Sequence, residues 1–191
     1  MTAVQGIRLD AGTYEVGGMM PEGLSPEGLM IYLQTRLTSL DDQINRTFEK
    51  QKKIEAIRKE LNAIQRELDR LKTDPNNPGA LLEAPGFEEA IRTHLDAIRE
   101  IDPNLADALE VELNKEGNAL WVQDGKYFSS EIEAGKKTID STMKQLEASA
   151  QLEMIALQSM MSSRQTAVQL STNLISALGE TTRSIAANIG K

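Results

Sequence analysis

The chain has no cysteine. That excludes disulfides, thiolate metal sites and a thiol nucleophile, and it leaves the compartment open. It also suits a polypeptide that has to unfold easily. Aromatic residues make up 4% of the 191 residues and apolar residues 40%, so any core is built mainly from Leu, Ile, Met and Ala. Such residues suit long narrow helical seams better than a thick globular interior. No window approaches the roughly 18 continuous apolar residues of a membrane span. Residues 1–24 lack a basic run followed by an apolar stretch, so no ordinary cleavable secretory signal is expected. Positive charge is scarce, with a net charge of −8 and a pI near 4.8. Nucleic-acid backbones and anionic membrane surfaces are therefore poor partners, and the acidity serves solubility.

What is present is organised around two long helical patterns. Residues 1–24, rich in Gly and Met without a clear period, read as a flexible or partner-ordered tail. Ser25-Pro26-Glu27 supplies a hydroxyl N-cap, a proline at the first helical position and an acid in the first turn. No proline follows until Pro75. Leu33, Leu37, Leu40 and Ile44 step by four, three and four. Ile54, Ile57, Leu61, Ile64, Leu68 and Leu71 step by three and four, which is the spacing of a coiled-coil seam. These six are assigned to an intramolecular seam. The two runs join imperfectly around Phe48, where a local change of winding is expected. The helix, roughly 47 residues within a 25–73 segment, spans about 70 Å. Its polar face interleaves signs, as in Lys50, Lys52, Lys53, Glu55, Arg58, Lys59 and Glu60, like any solvated face.

Thr73-Asp74-Pro75-Asn76-Asn77-Pro78-Gly79 stops that helix. It is not a calcium loop, because Pro78 and Pro85 fall where ligands would be needed. The segment 74–129 reads as a small mixed insert. Phe87 to Ile101 is a short amphipathic helix with Phe87, Ile91, Leu95 and Ile98 on one face. Asp102-Pro103 starts another, running to about Glu116 before Gly117. Asp124-Gly125 between Ala119–Gln123 and Lys126–Phe128 signals a β-hairpin. Trp121, Tyr127 and Phe128 are expected to hold the insert to the long helices.

Ser130-Glu131-Ile132-Glu133 reads as a capping box opening the second long helix, in a 130–191 segment. Ile132, Ile139, Met143, Leu146, Ala150, Leu157, Met160, Ala167, Leu174, Leu178 and Ile185 follow its seam. Leu152, Ile155, Met161, Val168, Leu170 and Ile175 flank that seam, so the apolar face is wide. Between Met154 and Gly179 the only charge is Arg164. A helix that is weakly polar nearly all round is normally surrounded by protein. The first helix covers one side, and other subunits are expected to cover the rest. The competing reading is that the insert folds back over it. The oligomerisation interface is assigned to Leu146, Leu157, Met160, Leu170, Leu174, Leu178, Ile185 and Ile189.

No chemistry for an enzyme emerges. His94, between Ile91 and Ile98, has no second histidine to form a zinc pair, and reads as a surface or satisfied structural residue. There is no Gly-x-Ser-x-Gly elbow. Gly17-Gly18 lacks the Lys-Ser or Lys-Thr of a phosphate loop. Glu88, Glu89, Glu110 and Glu112 read as solvated helix carboxylates. Met19-Met20 and Met160-Met161 suit adaptable contacts, or simply fill gaps. No cofactor, metal or catalytic residue is expected. The fold class is mainly all-α: a long two-helix antiparallel coiled-coil hairpin with a small insert of short helices and a β-hairpin.

The stretch Gln151 to Met160 (QLEMIALQSM), Arg164 and the ending Thr181 to Lys191 (TTRSIAANIGK) resemble the needle-tip and filament proteins of type III secretion systems, the EspA/SseB-like hydrophilic translocator family. The likeness covers about the last 60 residues, and the plan of helix, variable middle and Ser/Thr/Gln/Leu-rich helix extends it. The middle around Trp121 departs from the family, and the first helix looks more like the stalk of the larger tip proteins. The resemblance implies a structural, secreted protein at the bacterial cell surface, exported without a cleaved signal peptide. Its partners would be itself, the secretion needle subunit, the translocon pore proteins and a dedicated cytoplasmic chaperone before export. Needle-tip ring against filament stays open. The competing class is an intracellular coiled-coil adaptor, scaffold or regulator that binds one partner helix.

Overall fold

A computed structural model describes residues 25–115, 120 and 125–189. It is mainly α-helical: α1 (Pro26–Arg70), α2 (Phe87–Ile101), α3 (Pro103–Leu113) and α4 (Ser129–Ile189), with two three-residue strands, β1 (Leu81–Glu83) and β2 (Lys126–Phe128). Residues 39–165 form one compact unit. The start of α1 and the end of α4 belong to a second.

Within 39–165, α1 and α4 run antiparallel. Asp41 meets Arg164, Lys50 meets Glu153, Arg58 meets Glu147 and Asp69 meets Lys136. Partner numbers on α4 fall as those on α1 rise, one residue for one, so a single register holds along the unit. The α1 side of the seam passes through Leu40, Ile44, Thr47, Gln51, Ile54 and Ile57. Thr47 and Gln51 are the polar links between the two apolar runs. The Thr47 hydroxyl donates to the Gln43 carbonyl at 3.0 Å, and Gln51 Nε2 donates to the Ala150 carbonyl of α4 at 3.0 Å. Phe48 points outward, about half exposed. The irregular step therefore lies at Ile54–Ile57, where two steps of three follow one another, rather than at Phe48. An inserted three-residue step overwinds a coiled coil locally.

The core sits where the insert joins. Ile57, Leu61, Ile64 and Leu68 of α1 meet Phe87, Ile91, Leu95 and Ile98 of α2, Ala106, Leu109 and Leu113 of α3, and Ile132 and Ile139 of α4. Of the six seam residues expected on α1, Ile57, Leu61, Ile64 and Leu68 are buried, and Ile54 and Leu71 are half-buried. Asp102 ends α2 and starts α3; its carboxylate accepts from the Leu105 amide at 3.1 Å, satisfying one orphan donor of the new helix. Helix α3 ends at Leu113; Glu116 and Gly117, where its end was expected, lie outside the described residues.

The strand after Gly125 forms as expected, and in the described sheet it pairs antiparallel with β1, Leu82 opposite Tyr127. Gly125 has φ 65° and its carbonyl accepts from the Ala84 amide at 2.9 Å. The run 119–123 lies outside the described residues apart from Leu120, which is buried. Tyr127 is buried with its ring edge-on to Phe87 at 5.0 Å. Phe128 is about half exposed and faces out of the core, because successive strand residues alternate sides. Trp121 lies outside the described residues.

Helix α4 begins one residue earlier than the sequence suggested, and its cap differs. Glu131, not Glu133, reaches back: its Oε2 accepts from the Phe128 amide at 2.8 Å. The Ser129 and Ser130 amides donate to the Ala80 and Pro78 carbonyls. The loop that ends α1 thus satisfies helix-start donors that would otherwise have no partner. Glu133 instead accepts from the Thr73 hydroxyl and pairs with Lys136.

In the second unit, the Gly28 amide donates to Ser25 Oγ at 3.1 Å, confirming the serine cap. Leu33 and Ala167 are buried there, and Leu37, Ser171, Leu174 and Leu178 are half-buried. The unit holds thirteen residues of α1 (26–38) and twenty-four of α4 (166–189). At 1.5 Å per residue, about 16 Å of α4 has no α1 beside it. Residues 179–189 are all exposed. The tail 1–24 lies outside the described residues.

Candidate functional site

The residues with the chemistry of a site are mostly occupied in ordinary structural roles. His94 Nδ1 lies 2.8 Å from Glu60 Oε2 and ties α2 to α1. Arg99 bridges α2 to α3 through Asp107 and Glu110, with Asp96 beside it, and Asp107 holds its guanidinium protonated above the ordinary value. Glu88 pairs with Arg92. Asp74 accepts from the Asn76 amide at 2.9 Å, making a turn. Among the described residues no cluster of His, Asp or Glu is spaced to hold a metal ion. A groove between α3 and α4 is lined by Leu105, Ala108, Glu112, Lys137, Thr138 and Thr142.

The feature that stands apart is the outward surface of α4. Within 39–165, Leu152, Met154, Ile155 and Met161 are exposed; in the other unit Val168, Leu170, Ile175, Ile185 and Ile189 are exposed, all nine between 40% and 80%. Isolated exposed apolar residues are ordinary on any protein. Nine along one helix are not, and the six of them between Glu153 and Glu180 share that stretch with a single charge. That charge, Arg164, is engaged: its Nε donates to Asp41 Oδ1, and this hydrogen bond holds the guanidinium protonated above its ordinary value.

Five hydroxyls of this helix are also occupied. Ser171, Thr172, Ser176, Thr181 and Thr182 each donate to the carbonyl four residues back, at 2.8–3.1 Å. A hydroxyl satisfied by its own helix can be covered by an apolar neighbour at low cost, because the penalty for burial falls on unpaired donors.

Of the eight residues assigned to oligomerisation from the sequence, the structure separates two groups. Leu157 is buried, and Leu146, Met160, Leu174 and Leu178 are half-buried, in one heptad phase with Ile139 and Ala150. Leu170, Ile185 and Ile189 are exposed. The first five are already engaged in the chain's own seam, so the surface open to a partner is formed by residues that flank it. Met161, Val168 and Ile175, exposed here, were legible as flanking residues and Met154 was missed; the signal that sets all four apart is their seven-residue spacing. The insert packs on 57–71 and 132–146 of the long helices, and among the described residues it leaves this surface uncovered. No described helix is long and apolar enough to cross a membrane.

No protein-family model, no curated protein and no solved structure matches this chain.

Proposed function

We propose that this chain is a structural, self-assembling protein whose copies meet along the exposed surface of α4. The observation that carries this reading is the run of exposed apolar residues on α4, six of them in the stretch 154–179 whose one charge, Arg164, is engaged by Asp41. Exposed apolar residues gathered along one helix are a mark of a contact site. The likeness of residues 151–160 and 181–191 to type III secretion tip and filament proteins supports a narrower form. In that form the protein is exported, forms the needle tip or a filament, and connects the needle to the translocon pore. The seam of Leu, Ile and Met without disulfides suits passage as an unfolded chain.

Two measurements test it. Sedimentation from low to high micromolar concentration, followed by negative-stain imaging, should show growth into rings or fibres. Strictly monomeric behaviour throughout would count decisively against assembly. Finding the protein in culture medium under secretion-inducing conditions supports the exported form. Retention inside the cell, bound to one helical partner, favours the adaptor reading.

A further inference from the structure

Numbering α4 by heptads, with Leu157 and Leu178 on the seam, places Met154, Met161, Val168, Ile175 and Ile189 in one column. They are spaced by seven, broken only by Thr182. All five are exposed. A surface following the straight helix has period 3.6; a strict seven-residue repeat is the mark of a partner helix supercoiling around this one. The residues midway between them complete the alternation of four and three: Gln158, Gln165, Thr172, Gly179 and Ala186. From Met154 to Ile189 this second line contains no charged residue.

Gly179 is the independent observation. A glycine inside a helix costs about 1 kcal/mol relative to alanine. A Cβ built on Gly179 meets nothing within 4 Å. The described residues therefore give no reason for glycine there. Gly135, the other glycine inside α4, is different: its missing Cβ makes room for Leu120 and Leu68 at 3.0 and 3.4 Å. A bare backbone on an open helix face has a use when another helix approaches closely.

We infer that Val168, Ile175 and Ile189 with Gly179 form a second coiled-coil seam on the 166–189 part of α4, taken by the same line of a second copy of this chain. This rests on the self-assembly reading and specifies its contact. The line is neutral along its length, so nothing on it repels an identical line or selects a partner of opposite charge. A membrane surface is the wrong occupant, since helices lying in that interface carry Lys and Arg beside their apolar face. α4 also extends past the level of α1, so the line continues where the chain's own partner helix has stopped.

The experiment compares full-length variants by sedimentation, with circular dichroism to confirm helicity. V168E/I175E should stay monomeric at concentrations where the wild type assembles. V111E, at an equally exposed apolar position on α3, should assemble like the wild type. G179L should block assembly, and G179A should raise the thermal stability of the monomer while weakening assembly about tenfold. The milder V168A/I175A should weaken assembly about a hundredfold, as expected for methyl groups lost from both copies. Normal assembly in V168E/I175E overturns the second seam and leaves self-assembly standing, as does equal loss in V111E. A monomeric wild type overturns the self-assembly reading itself.

Discussion

Arg164 occupies a seam position of α4, and its guanidinium is held by Asp41 of α1 across the helix pair. The seam positions seven residues before and fourteen after it are Leu157 and Leu178. One charged residue in an apolar seam favours the register in which it finds its partner over neighbouring registers. Replacing Arg164 with Leu is expected to leave thermal stability equal or higher, since apolar residues often outdo ion pairs in such places. The cost should appear in specificity: a Cys pair placed at Lys50 and Glu153 should crosslink less uniformly in R164L than in the parent. Equal crosslinking yields would show that Arg164 does not set the register.

The two stretches of the 39–165 unit differ in how much each residue buries. Ile64 is fully buried among four helices, whereas Ile44 is half-buried in a two-helix seam. Ile64→Ala is expected to cost about 3 kcal/mol and Ile44→Ala about 1 kcal/mol. Urea unfolding measures both, and equal costs would contradict the placement of the core.

Gly135 tests the close approach of α4 to Leu120 and Leu68. Gly135→Val forces two buried leucines to move and is expected to destabilise by about 2 kcal/mol, the range of core overpacking. Helix propensity works the other way for alanine, so Gly135→Ala should be far milder. A valine variant as stable as the parent would mean that the space is larger than described.

Glu133 supplies a pH dependence with a definite sign. The Thr73 hydroxyl, then Lys136, hold its carboxyl below the ordinary value of 4.5. A depressed folded-state value means stability present above about pH 4.5 and lost as pH falls through the lower folded value. The melting temperature should therefore drop on acidification below that point, and Glu133→Gln should lose less over the same interval. Parallel curves for the two proteins would remove Glu133 from the account.

The long helices, the four-helix core side of α1 and the limits of α2 were legible because period and punctuation agree there. Ser25-Pro26 begins a helix, Phe87, Ile91, Leu95 and Ile98 share one face, and Asp102-Pro103 both ends and begins one. Three things were not legible. The partner of β2 is Leu81–Glu83, far away in sequence, and nothing local to Lys126–Phe128 names it. The cap of α4 uses Glu131 and the carbonyls of Pro78 and Ala80, and a sequence does not show which carbonyls a fold brings near. The link between the apolar runs of α1 uses Thr47 and Gln51, which look polar in a list of residues but are satisfied by Gln43 and by Ala150 of α4. The candidate contact surface was legible as a shortage of charge, but which of its residues α1 already covers depends on the register of the pair.

The hydroxyls of Ser171, Thr172, Ser176, Thr181 and Thr182 return their protons to the backbone one turn earlier. Such a surface is at ease in two media. In water these carbonyl and hydroxyl oxygens still accept from solvent, and against another helix the five hydroxyls leave no donor stranded. These five side chains can thus stand uncovered during the lifetime of a lone chain and become interior later, each keeping its proton where it is.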